Sequence, residues 1–406
     1  MYIRKIHLEN FRNYTGLDLD VGPSVNIFYG NNAQGKTNII ESIYVGASVA
    51  SHRTAKDQDL IRFGSDGYKI DLLIACDGGY DTELSAQYTA NPKPKRVLRQ
   101  DGAEIRRISD YIGICNTVIF APEDLNIVKG APSARRKFLN TIIMKVSPTY
   151  VNLLGEIGRL IEQKNATLKD ARFGHSNGDI GSTLDFWDFS IADLSADIIL
   201  NRYRFARLLS GMAAKHHASI SGGKEELSLD YDTIGGTVSV LEGFLSENGV
   251  YDDFMAGKLS QGKYGAIKAI LSEAVLSKLR SSREYDLDKG ISSIGINKDD
   301  LDIKLEGLQM RNFSSQGQQR SAALALKLAE LEIIRRFVSS TPILLLDDVF
   351  SELDSSRRAS LVTAMTDAQI FITCTEKEMI AGELEGLIGT NQANYYKVSA
   401  GTVIPE

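Results

Sequence analysis

The densest chemistry in the chain lies in Gly30-Asn31-Asn32-Ala33-Gln34-Gly35-Lys36-Thr37, which fits the phosphate-loop pattern G-x-x-x-x-G-K-[ST]. Glycines at those positions let the main chain curl until successive N–H groups point at one phosphate, and the start of the following helix adds positive potential. Lys36 is then placed to neutralise β- and γ-phosphate oxygens, and the Thr37 hydroxyl to ligate Mg²⁺. A second constellation, Ile343-Leu344-Leu345-Leu346-Asp347-Asp348, is an apolar run ending in two acids. A buried strand of this kind holds a carboxylate at its carboxyl end beside a phosphate loop, as a Walker B motif does. Asp347 would anchor the Mg²⁺ shell, and Asp348 would be the catalytic group that orients or deprotonates the attacking water. ATP and Mg²⁺ are the cofactors these two motifs predict.

Such groups work only if strands and helices bring them together. The apolar run Val25–Tyr29 reads as a strand leading into the loop, Asn38–Val49 as the helix leaving it, and Tyr68–Leu98 as further strands broken at Gly78-Gly79 and at Pro92 and Pro94. From Pro132 to about Met212 the pattern turns helical, with apolar residues at Leu153, Ile157, Leu160 and Ile161 and again at Trp187, Ile191, Leu194 and Ile198. The Gly-, Ser- and Asn-rich stretch Phe173–Gly181 between these tracts predicts the tip of a helical hairpin. A strand at Leu227–Tyr231 and a helix at Ala266–Leu279 follow. After Asp300 the α/β pattern returns, with strands at Leu301–Leu305, Ile343–Leu346 and Ile370–Thr373 and a helix over Gln318–Phe337. The expected fold is therefore α/β, a P-loop ATPase head built from both ends of the chain (1–122 and 285–406) with a mainly helical lobe inserted over 123–284.

A third motif narrows the class. Phe313-Ser314-Ser315-Gln316-Gly317-Gln318-Gln319-Arg320 precedes an amphipathic helix with Leu324, Leu328 and Leu331 on one face. Serine and glycine at a helix amino terminus make an anion site. In this spacing Ser315, Gly317 and Gln318 resemble the ABC signature, which holds the γ-phosphate of an opposite subunit; a plain polar N-cap is the alternative. Ser351-Glu352-Leu353-Asp354 resembles the D-loop that crosses the dimer interface in that class.

The remaining composition excludes other classes. With 43% apolar and 24% charged residues over 406 positions the chain is an ordinary globular protein, and no apolar run reaches the length of a membrane span. The amino terminus lacks the features of a secretion signal, so a cytoplasmic location is expected. Cys76, Cys115 and Cys374 are far apart and support neither disulfides nor a metal motif. A net charge of −6 supplies no global attraction to nucleic acid, so DNA contacts must come from local patches. Lys93, Lys95, Arg96 and Arg99, with Arg106 and Arg107 nearby, form one such patch, and Arg135, Arg136 and Lys137 a second; each reads either as a track for phosphates or as solvated surface. His216-His217 reads as an exposed pair rather than a metal site.

Taken together, Leu8-Glu9-Asn10-Phe11-Arg12-Asn13-Tyr14, the asparagine-rich phosphate loop, Ser51-His52-Arg53-Thr54, Pro122-Glu123-Asp124-Leu125, Arg135-Arg136-Lys137-Phe138-Leu139, Ser315–Arg320 and Leu346-Asp347-Asp348 resemble the RecF family from end to end. The resemblance implies an SMC-like head without the long coiled coil. It also implies a weak DNA-stimulated ATPase that forms an ATP-dependent homodimer on single- and double-stranded DNA and at gap junctions. RecO and RecR would be its partners in loading recombinase at gaps, with roles in replication restart and SOS induction. By the same resemblance Arg12 and Asn13 sit at the nucleotide. One departure stands out: Gly295-Ile296-Asn297-Lys298-Asp299-Asp300 replaces the family's usual G-P-H-R-D-D, so no role of that histidine or arginine carries over. The strand end Thr373-Cys374-Thr375 also lacks the switch histidine of transporter subunits. Three rival readings are an ATPase-nuclease of the OLD type, an SMC-type structural clamp and a transporter ATP-binding subunit. Against them stand the lack of an acidic metal cluster after Asp348, the shortness of the middle segment, and the length of the insertion.

Overall fold

The computed structural model describes residues 1–174, 179–377 and 393–406. The chain divides into two compact units, one of Met1–Leu125, Lys215–Glu225 and Ser315–Glu406, the other of Asn126–Ala214 and Glu226–Ser314.

In the first unit, strand β1 (Tyr2–Phe11) buries Ile3, Ile6, Leu8 and Phe11. A register shift between Ile3 and Lys5 accounts for the change of phase between the first two of these. β1 pairs antiparallel with β2 (Tyr14–Asp20) and β4 (Gly67–Ala75), and the sheet continues through β5 (Asp81–Thr89), β6 (Lys95–Gln100) and β7 (Ala103–Ile105). A second sheet runs β15 (Thr402–Pro405), β14 (Ala393–Ser399), β3 (Val25–Tyr29), β13 (Ile370–Cys374), β12 (Ile343–Asp347) and β8 (Thr117–Phe120), parallel apart from the β14–β15 hairpin.

Its central strands read as unbroken apolar runs because both faces are covered. Leu345 and Phe371 pack into one core with Ile39, Ile40 and Ile43 of helix α1 (Lys36–Ser48) and with Ile6, Leu8 and Leu72 of the antiparallel sheet. Leu344, Leu346 and Ile372 face the other way, onto Leu324, Leu328 and Leu331 of the helix Gln316–Phe337. The phosphate loop and the acids of β12 thus emerge together at the carboxyl ends of parallel strands, where open α/β sheets place their ligands.

In the second unit the helix Tyr150–Arg172 and the helix Ile180–Ser221, as far as Ala214, form the expected hairpin. Trp187 Nε1 donates to Thr167 Oγ1 at 3.2 Å, and Lys164 pairs with Asp188 at 2.8 Å with both side chains buried. Residues 175–178 of the expected tip lie outside the described residues. The expected boundary at 285 moves to Ser315. The strand β10 (Asp300–Leu305), read from sequence as a returning head strand, instead pairs antiparallel with β9 (Leu227–Asp232) and with β11 (Leu308–Gln309), and its sheet belongs to the inserted unit. The acids of Gly295–Asp300 serve that unit as anchors. Asp299, 2% exposed, accepts from Arg202 at 2.6 Å, from Thr233 at 2.6 Å and from Tyr231. No helix among the described residues is long and apolar enough to cross a membrane.

Candidate nucleotide site

The phosphate loop is braced from outside. Gly30 has φ of 143°, and a Cβ there would stand 2.4 Å from the Val398 carbonyl oxygen of β14, so both conformation and space demand glycine. At Gly35, φ 115°, a Cβ would meet Asn13 Nδ2 at 2.6 Å and the Tyr14 hydroxyl at 2.8 Å. The Gln34 carbonyl accepts from Asn13 Nδ2 and from Gly401 N, each at 3.1 Å, and the Gln34 side chain accepts from Ala400 N at 2.7 Å. Asn13 in turn accepts from Asn38 at 2.8 Å, which joins it to the first turn of α1. Lys36, 8% exposed, donates to the carbonyls of Gly30 at 2.5 Å and Asn31 at 2.8 Å. Burial lowers its pKa, while the Asp348 and Asp347 carboxylates pull in the opposite direction.

Opposite the loop, parallel pairing sets Asp347 beside Thr373. Asp347 Oδ1 accepts from Thr37 Oγ1 at 2.8 Å and from Thr373 Oγ1 at 2.7 Å, and Thr373 Oγ1 itself accepts from the Asp348 N–H at 2.9 Å. Burial raises the Asp347 pKa against the effect of those hydroxyls. A divalent cation at this point shifts the balance toward the carboxylate. The converging oxygens of Thr37 and Asp347 suit a small hard cation that keeps most of its shell for phosphates and water, which is how Mg²⁺ is bound. No cluster of three His, Cys, Asp or Glu able to hold a metal occurs among the described residues. Asp348 adopts a left-handed φ of 51°, a conformation that aspartate tolerates better than most residues. Its carboxylate is the first of the charges acting on Lys36.

Arg12, expected at the nucleotide, is engaged by α1 and by the turn at Asp59. Its guanidinium grips Glu41 of α1 through Nε and Nη2, both at 2.8 Å, and Nη1 donates to the Asp59 carbonyl at 2.6 Å. Glu41 is fully buried and also accepts from Ser51 at 2.6 Å and pairs with Arg53 at 3.4 Å. Burial disfavours its charge, yet these donors hold its pKa below the ordinary glutamate value. The sequence assigned no role to Glu41 or to the hydroxyls of Thr373 and Tyr14, although Glu41 stands out there as a carboxylate set among Ile39, Ile40 and Ile43 on a helix.

The third motif folds as a capping box. Ser315 Oγ accepts from Gln318 N at 3.3 Å, and Gln318 Oε1 accepts from Ser315 N at 2.8 Å. Gln318 Nε2 then donates to Glu225 at 2.8 Å, and the Gly317 carbonyl accepts from Arg357 at 2.8 Å. The bonds of the phosphate loop go to Asn13, Tyr14, Ala400, Gly401 and Asp347 instead, so the two motifs are built on separate supports.

The predicted DNA contacts divide. Lys93 and Lys95 are exposed, and Arg99 is half-buried beside Gln87 at 3.5 Å. Arg96 is engaged by Asp57 at 2.5 Å. Arg135 is not a surface charge: it is 5% exposed and bonds bidentately to Asp300 at 2.6 and 2.8 Å, with a further bond to the Gly130 carbonyl. Arg136 donates to the Asp299 carbonyl at 2.7 Å. The second basic cluster is therefore largely structural. His216 bonds Glu332 at 2.9 Å, whereas His217, expected to be exposed, is fully buried. Adjacent helical residues face about 100° apart, so one can line a core while its neighbour meets solvent.

The RecF/RecN/SMC N-terminal domain family matches residues 2–397. The chain is 34% identical over 403 residues to the DNA replication and repair protein RecF of Ruminiclostridium cellulolyticum, covering 99% of each. It is 37% identical over 404 residues to that of Lysinibacillus sphaericus, again covering 99% of each. Among solved structures, the recombination mediator protein RecF with ATP superposes with a TM-score of 0.84 at 29% identity, over 100% of this chain and 97% of that one. With matches of this length and a phosphate loop, Walker B strand and signature helix all in place, the chain belongs to the RecF family.

Proposed function

We propose that the chain is an ATP-dependent DNA-binding protein of recombinational repair and replication restart. It binds ATP with Mg²⁺, closes into a homodimer on DNA at single-strand/double-strand junctions, and hydrolyses ATP slowly with stimulation by DNA. The observation that carries this reading is the convergence of Thr37, Asp347 and Thr373 at the mouth of a braced phosphate loop. Gly30, Asn31, Asn32, Ala33, Gln34, Gly35, Lys36 and Thr37 cradle the phosphates, and Asn13 fixes the loop while Arg12 fixes α1. Thr37 and Asp347 would hold Mg²⁺, which supplies charge neutralisation to the phosphates. Asp348 directs the attacking water, and Ser315, Gly317 and Gln318 close the site of the second copy. RecO and RecR are the expected partners, recombinase loading at gaps and SOS induction the expected consequences, and the cytoplasm the expected location.

Of the DNA contacts, the structure favours Lys93, Lys95 and Arg99 over the ion-paired Arg96. Reversing those three to glutamate is expected to weaken DNA binding and flatten its salt dependence while leaving ATP affinity unchanged. Each lost phosphate contact lowers the slope of log K against log salt by about 0.9 on duplex DNA. Fluorescence anisotropy of labelled gapped DNA across a salt series, with ATP and with ADP, measures this. An unchanged slope assigns β6 to ordinary solvated surface, and equal binding with either nucleotide contradicts ATP-gated DNA binding.

A further inference from the structure

The D-loop and the signature loop, which the proposed function assigns to the partner's nucleotide, are joined within one chain by two side chains: Arg320 donates to the Glu352 carbonyl at 3.2 Å, and Arg357 makes the more extensive link. Arg357 lies in the first turn of the helix Ser355–Ala364, directly after the D-loop residues Ser351–Asp354. Its Nη1 donates to Asp354 Oδ2 at 2.8 Å, and the Arg357 N–H donates to Asp354 Oδ1 at 3.0 Å, so the last D-loop residue is held on both sides. Nε and Nη2 donate to Ser321 Oγ at 3.0 and 2.8 Å, and Nη2 also reaches the Gly317 carbonyl at 2.8 Å. The side chain is only 17% exposed, so these bonds compete little with water.

We propose that Arg357 is a positioning residue that locks the D-loop and the signature turn into one rigid face for the nucleotide bound by a second copy of this chain. The planar guanidinium suits the task, because its fixed fork spans three acceptors on two elements whereas an ammonium is a single point of attachment. Ser315, Gly317 and Gln318 stand at the open end of their helix, where the N–H groups that would meet a γ-phosphate depend on the orientation of that first turn. Holding the Gly317 carbonyl sets that orientation against the D-loop. A two-fold dimer contains the lock twice, so its loss counts twice in association.

This inference rests on the ATP-dependent homodimer proposed above, and Arg357→Gln in the full chain tests it. Loss of charge-assisted bonds weakens each composite site by about tenfold and dimer association by about a hundredfold. In dilute protein, fluorescent ATP analogue binding by the phosphate loop is expected to stay within about twofold, which a general loss of structure would not permit. Arg357→Lys recovers part of the loss. Ser321→Ala removes one acceptor and nothing of the guanidinium, gives a smaller loss in the same direction, and serves if the glutamine variant fails to fold. Light scattering with ATP and ADP reads association. Undiminished ATP-driven dimers in both Arg357→Gln and Ser321→Ala overturn the proposal, as does a parallel fall in monomer ATP affinity. If the unsubstituted chain forms no ATP-dependent dimer, the dimer reading itself fails, and the positioning role with it.

Discussion

Lys36→Met is expected to leave the fold intact and to weaken ATP binding by about a hundredfold or more. Among the described residues the ammonium bonds only to the Gly30 and Asn31 carbonyls, and its removal breaks no link from these to the core. Methionine retains an unbranched stem of similar length to fill the same narrow space. Bonds from an ammonium to phosphate oxygens are of the charge-assisted kind, about 1.5–3 kcal/mol each, and two of them amount to a factor of about a hundred or more in affinity. Isothermal titration calorimetry gives the affinity, and a thermal melt checks the fold. An affinity within a few-fold of the parent would place the triphosphate elsewhere.

Asp348→Asn is expected to separate binding from hydrolysis. Asparagine also tolerates the left-handed backbone seen at φ 51°, and the Asp348 N–H bond to Thr373 Oγ1 survives the change. Asp347, with its bonds from Thr37 and Thr373, is untouched, so ATP and Mg²⁺ still bind. What disappears is the carboxylate proposed to direct water, a contribution of about 10² to 10⁴ in rate. Single-turnover hydrolysis with bound ATP measures it without interference from product release. Undiminished turnover would move the catalytic role to another group.

The parts of this site that were legible in the sequence are those that local chain geometry dictates. A phosphate loop must follow a strand and open a helix, and a Walker B carboxylate must end an apolar strand, so spacing and periodicity alone locate Gly30–Thr37 and Asp347-Asp348. The signature capping box is equally local, with Ser315 and Gln318 serving each other. Partners distant in the chain were not legible. Arg135 sits in a run of three basic residues, which suggests solvated charge, yet its bidentate partner Asp300 is 165 positions away. Distance along the chain also hid the boundary, because the apolar alternation of β10 is the same whether it pairs with a head strand or with β9. Thr373 acts through a neighbour brought beside it by the parallel sheet, and Glu41, though conspicuous among isoleucines, has its Arg12 partner 29 positions away.

The central claim is that each nucleotide is closed by two chains, the phosphate loop of one and the signature turn of the other. Mixing Lys36→Met protein with Ser315→Arg protein tests it directly. Either variant alone has no intact composite site, since every site lacks the lysine or carries the arginine. In the mixed dimer one site pairs the unaltered phosphate loop of the Ser315→Arg chain with the unaltered signature of the Lys36→Met chain. Coupling of about 1–3 kcal/mol through that single closed site is expected to restore partial ATP-dependent association. Size-exclusion light scattering of each variant and of the mixture, with ATP and with ADP, should show monomers for the separate proteins and an ATP-dependent dimer fraction only for the mixture. Robust ATP-dependent dimers of Ser315→Arg protein on its own would contradict closure in trans.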